Sequence, residues 1–336
     1  MRVNTYAWLI NTLVKLWEIR SRLGDEAARE LGTTDMGKRQ TQFEYHAVRD
    51  VFEHLLERSA LQAEGWKFDQ PSPTDVDWII GLDPTDGTAG DARFRGVGVL
   101  QSSLPVSLVL TIRRNIPDST FASVEYAGIL DLRSGQIFVA REQGATTLKE
   151  GVWLPLERKP QYNQHAPAVG WEVARRALAP IRFLIPYEVY PEMYSDSNSS
   201  AMVMLWSLLG YCDVWFNCEL PGIQGAGQRG HELGAAVVFA RALGACAIHT
   251  KAEGGQIIYA QELDNTPYSF DSQTSIILGV DEYIVRHYLS LMNETLNRSM
   301  WLLGYGCIPA HAFFALMYHD IPGTKWSLPL VTRDKP

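Results

Sequence analysis

The sequence is poor in cysteine and lacks the spacings that build disulfide frameworks or zinc sites. Its four cysteines are scattered over 336 residues without a C-x-x-C pair: Cys212, Cys218, Cys246 and Cys307. Reduced and mostly buried thiols are therefore expected, as in a cytosolic protein.

Long hydrophobic runs are also missing. No window reaches the roughly 18 apolar residues that a membrane-spanning helix needs. The apolar stretch from Tyr6 to Trp17 is interrupted by Asn11 and Lys15, and no small-residue cleavage site follows a clean apolar core there. We expect a soluble, cytoplasmic protein with no membrane partner.

Positive charge is neither abundant nor clustered. The formal net charge is −8, and no basic stripe or long Lys/Arg run is present, which argues against a nucleic-acid polymer as partner. Internal repeats and low-complexity tracts are absent as well. What the chain does have is 46% hydrophobic residues, enough to bury a large core in one two-lobed unit or two packed domains.

The most informative stretch is Trp78–Thr88, which reads W-I-I-G-L-D-P-T-D-G-T. Its apolar start is typical of a buried strand, which ends where a proline follows Asp83. Asp83 and Asp86 therefore lie at a strand end, followed by the backbone N–H of Gly87 and the hydroxyl of Thr88. Carboxylates suit hard divalent cations, and backbone N–H groups suit phosphate. The alternative is an ordinary turn whose aspartates cap the next element.

Hydrophobic periodicity predicts a mixed α and β chain. Residues 5–31 and 41–63 show helical spacing, residues 104–113 form an apolar β-branched run, and residues 124–141 have the turn chemistry of a hairpin. Further helices are predicted at 201–209, 230–244 and 280–303, and further strands at 212–218, 246–250 and 256–260.

A proline-containing polar stretch over residues 160–170 indicates a boundary. We predict an N-terminal α+β lobe over residues 1–160, which carries the strand-end motif. A C-terminal α/β lobe over 161–296 and an extension over 297–336 follow.

Two segments together resemble the inositol monophosphatase / fructose-1,6-bisphosphatase superfamily. Leu82–Thr88 is similar to its D-P-x-D-G-T motif, and the helical segment from Glu232 to Ala245 is similar to its second, W-D-x-A-type signature. A hairpin at 135–141 lies between them, as in the family. The resemblance, which covers residues 5–296, implies a layered α-β-α-β-α sandwich of the sugar phosphatase type. It also implies a Mg²⁺-dependent phosphomonoesterase that hydrolyses a small phosphorylated polyol, sugar or nucleotide with a metal-activated water.

The resemblance implies metal-binding roles for five positions. The carboxylates of Asp83, Asp86 and Glu232 and the backbone carbonyl of Thr85 would bind Mg²⁺, or Mn²⁺ in its place. Glu44 would support a third, weaker ion. Considered without the resemblance, Glu44 lies near a predicted helix start, where an acid favours the positive end of the helix dipole.

Phosphate and substrate contacts are implied for other residues. Gly87 and Thr88 would hold phosphate through their N–H groups, and the Thr88 hydroxyl would orient the attacking water. Arg229 and His231 are candidates for contacting an anionic substrate. The glycine-rich stretch 221–230 is either a substrate-selecting loop or an ordinary surface insertion.

The sequence departs from the family at several places: Thr85 replaces an aliphatic residue, Asp91 stands where an aromatic is common, and two further departures concern acidic motifs. The family's Gly-Glu-Glu motif is absent; Asp69 is the preferred substitute, and Glu64 is the other acid nearby. His231-Glu232 stands where Trp-Asp is usual. These departures leave open an alternative, a relative that binds metal and a phosphorylated ligand without turnover.

The extension over residues 297–336 is rich in large apolar residues. They either pack back on the core or form an assembly interface. A homodimer, common in such a family, is expected by analogy.

Overall fold

The computed structural model describes residues 4–33, 39–67, 75–87, 106–158, 168–171, 192–195, 199–219 and 227–302. The helices in these ranges are α1 (Thr5–Leu23), α2 (Gln42–Glu53), α3 (Ser200–Leu209), α4 (Gly230–Leu243) and α5 (Glu282–Leu302). None of these described helices is both long and apolar enough to cross a membrane.

The N-terminal half is built on a seven-stranded sheet. A separate short pair, β1 (Glu30–Thr33) and β2 (Arg39–Thr41), precedes α2. The sheet then contains, in spatial and chain order, β3 (Ser59–Ala63), β4 (Trp78–Asp86), β5 (Ser107–Arg114), β6 (Val124–Asp131), β7 (Ile137–Arg141), β8 (Gly144–Lys149) and β9 (Val152–Pro155). Only β3 and β4 pair in parallel, and the other neighbours are antiparallel.

A second, six-stranded sheet follows. The strands of this half are, in chain order, β10 (Ala168–Trp171), β11 (Glu192–Ser195), β12 (Val214–Asn217), β13 (Gln228–Arg229), β14 (Cys246–Glu253), β15 (Gln256–Glu262), β16 (Gln273–Thr274) and β17 (Ile276–Gly279). The six-stranded sheet has the order β11-β10-β12-β17-β14-β15, and β13 and β16 form a separate antiparallel pair.

The helices form three layers around the two sheets. One buried cluster joins Phe138 of the first sheet to Leu205 of α3, Phe239 of α4 and Trp215 of the second sheet. Helices α3 and α4 therefore lie between the sheets. Helices α1 and α2 pack in another cluster on the outer face of the first sheet, and α5 contacts strands of the second sheet. The layer order α-β-α-β-α, predicted from the family resemblance, is confirmed.

The predicted helix over residues 41–63 is wrong in its second half. Helix α2 ends at Glu53, and Ser59–Ala63 form β3 instead. Between them Arg58 has a left-handed backbone, with φ of 58°, a conformation that interrupts any helix. The register of β3 with β4 shows that pairing with a buried strand overrides the helical spacing.

The first helix is also shorter than predicted, since α1 ends at Leu23 rather than near residue 31. Gly24, with φ of 49°, stops the helix. The predicted lobe boundary and residues 303–336 of the extension lie outside the described residues.

Gly230 fixes the place where α4 begins. A Cβ at this position would lie 1.8 Å from the backbone carbonyl oxygen of Ser269. The same substitution one turn later, at Gly234, would meet its nearest neighbour at 3.4 Å, which is ordinary van der Waals contact. The first residues of α4 are therefore held against the 269–270 backbone by a contact that only glycine permits.

We predict that Gly230→Ala lowers the free energy of unfolding by about 1–3 kcal/mol, because overpacking forces backbone shifts. The matched control is Gly234→Ala, which should change stability by less than about 1 kcal/mol and in the stabilising direction, since alanine is the better helix former. Urea denaturation of both variants measures the difference. Equal losses in the two variants would show that the close approach at Gly230 does not matter.

Candidate metal centre

A β-bulge brings the two aspartates of the strand-end motif together. Residues three apart in a regular strand point to opposite faces of the sheet. In the pairing of β4 with β5, however, Asp83 is opposite Val109 and Asp86 is opposite Ser107, so three steps on β4 match two on β5. The extra residue restores a common side for both carboxylates, and both aspartates are buried.

Asp86 lies against the first turn of α3. Its Oδ2 accepts hydrogen bonds from the Ser199 hydroxyl at 2.7 Å and from the Ala201 backbone N–H at 2.9 Å. Ser199 is also the N-cap of α3, where it accepts from the Met202 N–H at 3.1 Å. Burial and, after it, the charge of Asp83 raise the pKa of Asp86 from 3.8 to about 7, although these hydrogen bonds oppose the rise.

The start of α4 supplies His231 and Glu232. The backbone carbonyl oxygen of Phe270 accepts two hydrogen bonds from His231, one from its backbone N–H at 3.2 Å and one from ring Nδ1 at 2.9 Å. The ring is therefore held in one orientation. Its Nε2 lies 3.7 Å from Oδ2 of Asp83 and 3.8 Å from Oε1 of Glu232.

Glu64 follows β3 directly and lies beside the end of β4. Its backbone N–H donates to the Leu82 carbonyl at 2.9 Å and so extends the parallel pairing of the two strands. Its side chain forms an ion pair of 2.5 Å with Arg229. Glu64 is the acid that the sequence offers beside the preferred Asp69. The helical spacing over residues 41–63 conceals the strand register that brings Glu64 to this place.

These residues form two groups whose potential ligand atoms lie within 4.8 Å of one another. One group is Asp83, Asp86 and Glu232, and the other is Glu64, Asp83 and His231. Asp83 belongs to both. Carboxylates brought this close and buried repel one another and lose hydration, so either bound protons or a cation must compensate. The donor types, mainly carboxylate oxygens, fit one or two divalent cations.

Other predicted site residues have different surroundings. Glu44 is buried and forms a capping box with Thr41: its Oε2 accepts from the Thr41 N–H at 2.8 Å, and its own N–H donates to the Thr41 hydroxyl. Its carboxylate therefore serves the start of α2, and it is in neither of the two groups of converging ligand atoms. The third-ion role stays a prediction.

The turn after Asp83 is shaped by local hydrogen bonds. The Thr85 N–H donates to Oδ1 of Asp83 at 3.1 Å, and the Thr85 hydroxyl donates to the Pro84 carbonyl at 2.7 Å. Gly87 has a φ of 93°, which favours glycine. Asp69 and Thr88 lie outside the described residues, so their predicted roles stay predictions.

The two predicted substrate contacts differ in exposure. The side chain of Arg229 is 48% exposed and reaches toward the site through Glu64. His231 is 1% exposed and lies among the carboxylates, so its ring belongs to the cluster itself rather than to a surface that meets substrate.

No protein-family model matches the chain, and no curated protein matches it. Solved structures do match. The inositol monophosphatase (IMPase) of Thermotoga maritima is 12% identical, with a TM-score of 0.57 over 87% of this chain and 98% of that chain. The fructose-1,6-bisphosphatase of Leishmania major in holo form is 15% identical, with a TM-score of 0.59 over 87% and 94%.

A third match is an IMPase/NADP phosphatase complexed with Mg²⁺ and phosphate. It is 12% identical, with a TM-score of 0.58 over 85% of this chain and 95% of that chain. The resemblance to the inositol monophosphatase / fructose-1,6-bisphosphatase superfamily is thus confirmed at the level of the fold.

We predict that Asp86→Asn raises the thermal stability of the metal-free protein, and does so more at pH 8 than at pH 4.5. The folded-state pKa of about 7 lies above the ordinary 3.8, so the folded protein binds the extra proton and loses stability as the pH rises through this window. The neutral amide avoids that loss, which is on the order of a few kcal/mol.

Melting temperatures in EDTA at the two pH values measure the effect. Asp75→Asn, at an exposed aspartate, is the control and should show no such pH dependence. A shift for Asp86→Asn that is the same at both pH values would contradict the prediction.

Proposed function

We propose, from the inositol monophosphatase / fructose-1,6-bisphosphatase fold of this chain, that it is a divalent-metal-dependent phosphomonoesterase. Its substrate would be a small phosphorylated polyol, sugar or nucleotide. The observation that carries the proposal is the convergence of Asp83, Asp86 and Glu232 within 4.8 Å. The fold alone does not imply chemistry, whereas this set of donors has few other uses in a buried place.

Each carboxylate has a separate structural support. Asp83 is fixed by the bulged end of β4, Asp86 by the N-terminus of α3, and Glu232 by the first turn of α4. Mg²⁺ or Mn²⁺ held there would polarise a phosphate oxygen, lower the pKa of a bound water and stabilise the leaving oxygen. In support, one protein of the same fold is described in complex with Mg²⁺ and phosphate.

The substrate phosphate would be held by backbone groups at the same edge. The N–H of Gly87, in its left-handed conformation, and the N-terminus of the 14-residue helix α4 both favour an anion. The Thr88 hydroxyl would orient the attacking water. Arg229, whose guanidinium is half exposed beside Glu64, can donate to a phosphate or sugar oxygen.

We assign to Glu64 the part that the absent Gly-Glu-Glu motif plays in the family. Glu64 lies with Asp83 in one group of converging ligand atoms, and its carboxylate is only 13% exposed. It can accept a proton from the attacking water or hold a cation beside Asp83. Asp69, the substitute preferred from the sequence, would then have no role in ligation.

A second candidate function is a relative that binds metal and phosphorylated ligand without turnover. The observation in its favour is the ion pair of Glu64 with Arg229, because a guanidinium already neutralises the carboxylate that would activate water. Cytoplasmic location, expected from the cysteine usage and the lack of long apolar runs, and a homodimer, expected by analogy with the family, are part of the proposal and await their own tests.

We predict phosphate release from a panel of phosphate monoesters in Mg²⁺ or Mn²⁺, and none in EDTA. Asp86→Asn and Glu64→Gln should each lower the rate at least about 100-fold, as expected for groups that stabilise the transition state. Glu57→Gln, at an exposed glutamate, should leave the rate unchanged. Released phosphate is measured directly.

The same experiment separates the two functions. No release in any condition, while Mg²⁺ or inorganic phosphate still raises the melting temperature, would favour binding without turnover. Release that is unaffected by Asp86→Asn would contradict the metal-dependent mechanism.

A further inference from the structure

The orientation of the His231 ring determines which nitrogen carries its proton. Nδ1 lies 2.9 Å from the Phe270 carbonyl oxygen, and a carbonyl can only accept a hydrogen bond. Nδ1 therefore donates, and in the neutral ring Nε2 presents a lone pair. A metal-bound histidine commonly shows this arrangement, with one nitrogen tied to a backbone carbonyl and the other free to ligate.

Nε2 of His231 is buried and makes no hydrogen bond with any residue that the structure describes. It faces Oδ2 of Asp83 at 3.7 Å and Oε1 of Glu232 at 3.8 Å, too far for hydrogen bonds. Atoms that share one metal ion with ligand bonds near 2.1 Å lie about 3–3.5 Å apart. The observed separations therefore need only a small contraction around an ion.

The ring contacts the side chain of Phe270, with a centroid distance of 4.8 Å. Together with the two hydrogen bonds to the Phe270 backbone, this contact leaves the ring little freedom to turn away from the carboxylates. A lone pair that is fixed toward two carboxylates is unfavourable unless a cation lies between them or Nε2 itself carries a proton.

The donor set decides which cation fits. Glu64, Asp83 and His231 offer two carboxylates and one imidazole, whereas Asp83, Asp86 and Glu232 offer oxygen alone. Mg²⁺ takes oxygen ligands and keeps several waters. Imidazole instead suits divalent transition metals, and the affinity of a given site for them rises from Mn²⁺ through Fe²⁺ to Co²⁺, with Zn²⁺ also bound tightly.

We propose that His231 Nε2 is a metal ligand, so that the Glu64–Asp83–His231 group binds a divalent transition metal in preference to Mg²⁺. The inference deepens the proposed function, since it rests on the same metal centre, and it adds a selectivity that an all-oxygen site would lack. The competing arrangement is a protonated His231 that neutralises Asp83 and Glu232, in which case the ring would oppose metal binding.

Metal binding to the stripped, full-length protein tests the proposal without any assay of activity. Pulsed electron paramagnetic resonance on the Mn²⁺-loaded wild type should show coupling to an imidazole nitrogen. In calorimetric titrations, His231→Ala should weaken the tightest Co²⁺ binding at least about tenfold and change Mg²⁺ binding by less than about threefold.

His249→Ala is the matched control. His249 Nδ1 makes the same hydrogen bond to a backbone carbonyl, that of Ser275, at 2.9 Å, and no acidic side chain pairs with it in the described part of the chain. Both the nitrogen coupling and the Co²⁺ affinity should survive in this variant. The wild-type spectrum needs no variant, so a misfolded His231→Ala protein would not leave the question undecided.

Two results would overturn the proposal: a wild-type spectrum without nitrogen coupling, or Co²⁺ affinity that is unchanged or higher in His231→Ala. Failure of the proposed function is distinct from both. If the protein releases no phosphate but its Mn²⁺ spectrum shows the nitrogen coupling, His231 is a metal ligand and the proposed phosphatase function is wrong.

Discussion

The mutual repulsion of buried carboxylates is the constraint on which the rest of this structure depends. Asp83, Asp86 and Glu232 converge where water is largely excluded, and Glu64 lies beside them. Such a cluster is costly to fold unless positive charge or protons compensate. Burial and the charge of Asp83 accordingly raise the pKa of Asp86.

The layer of helices between the two sheets supplies much of the compensation. Helices α3 and α4 begin at the acidic cluster, so that the positive ends of their dipoles lie toward it, and the Ala201 N–H of α3 donates to Asp86. The same helices carry the apolar side chains that join the sheets. Packing and charge are thus served by the same two elements, and this coupling explains why the acidic cluster occurs where the first sheet meets the middle layer of helices.

Local motifs in the sequence predict part of this centre. The rest depends on contacts between residues far apart in the chain, which local patterns do not show. Asp83 and Asp86 are identifiable from a short motif at a strand end, and Glu232 is identifiable through the resemblance of its helix start to the family's second signature. The place of Glu64 depends on the parallel register of β3 with β4, which helical spacing over residues 41–63 concealed. The orientation of His231 depends on the Phe270 carbonyl, 39 residues later, and no local pattern encodes that contact.

The β-bulge at the end of β4 has a consequence for how this chain can evolve. At a spacing of three, Asp83 and Asp86 lie on one side only because the bulge absorbs one residue. A substitution that let this segment pair as a regular strand would therefore turn Asp86 to the opposite face of the sheet. A deletion of one residue would instead leave a spacing of two, for which a regular strand already places both side chains on one face. Related chains can thus keep the centre with the bulge and three steps or without the bulge and two steps, but not with one of these changes alone.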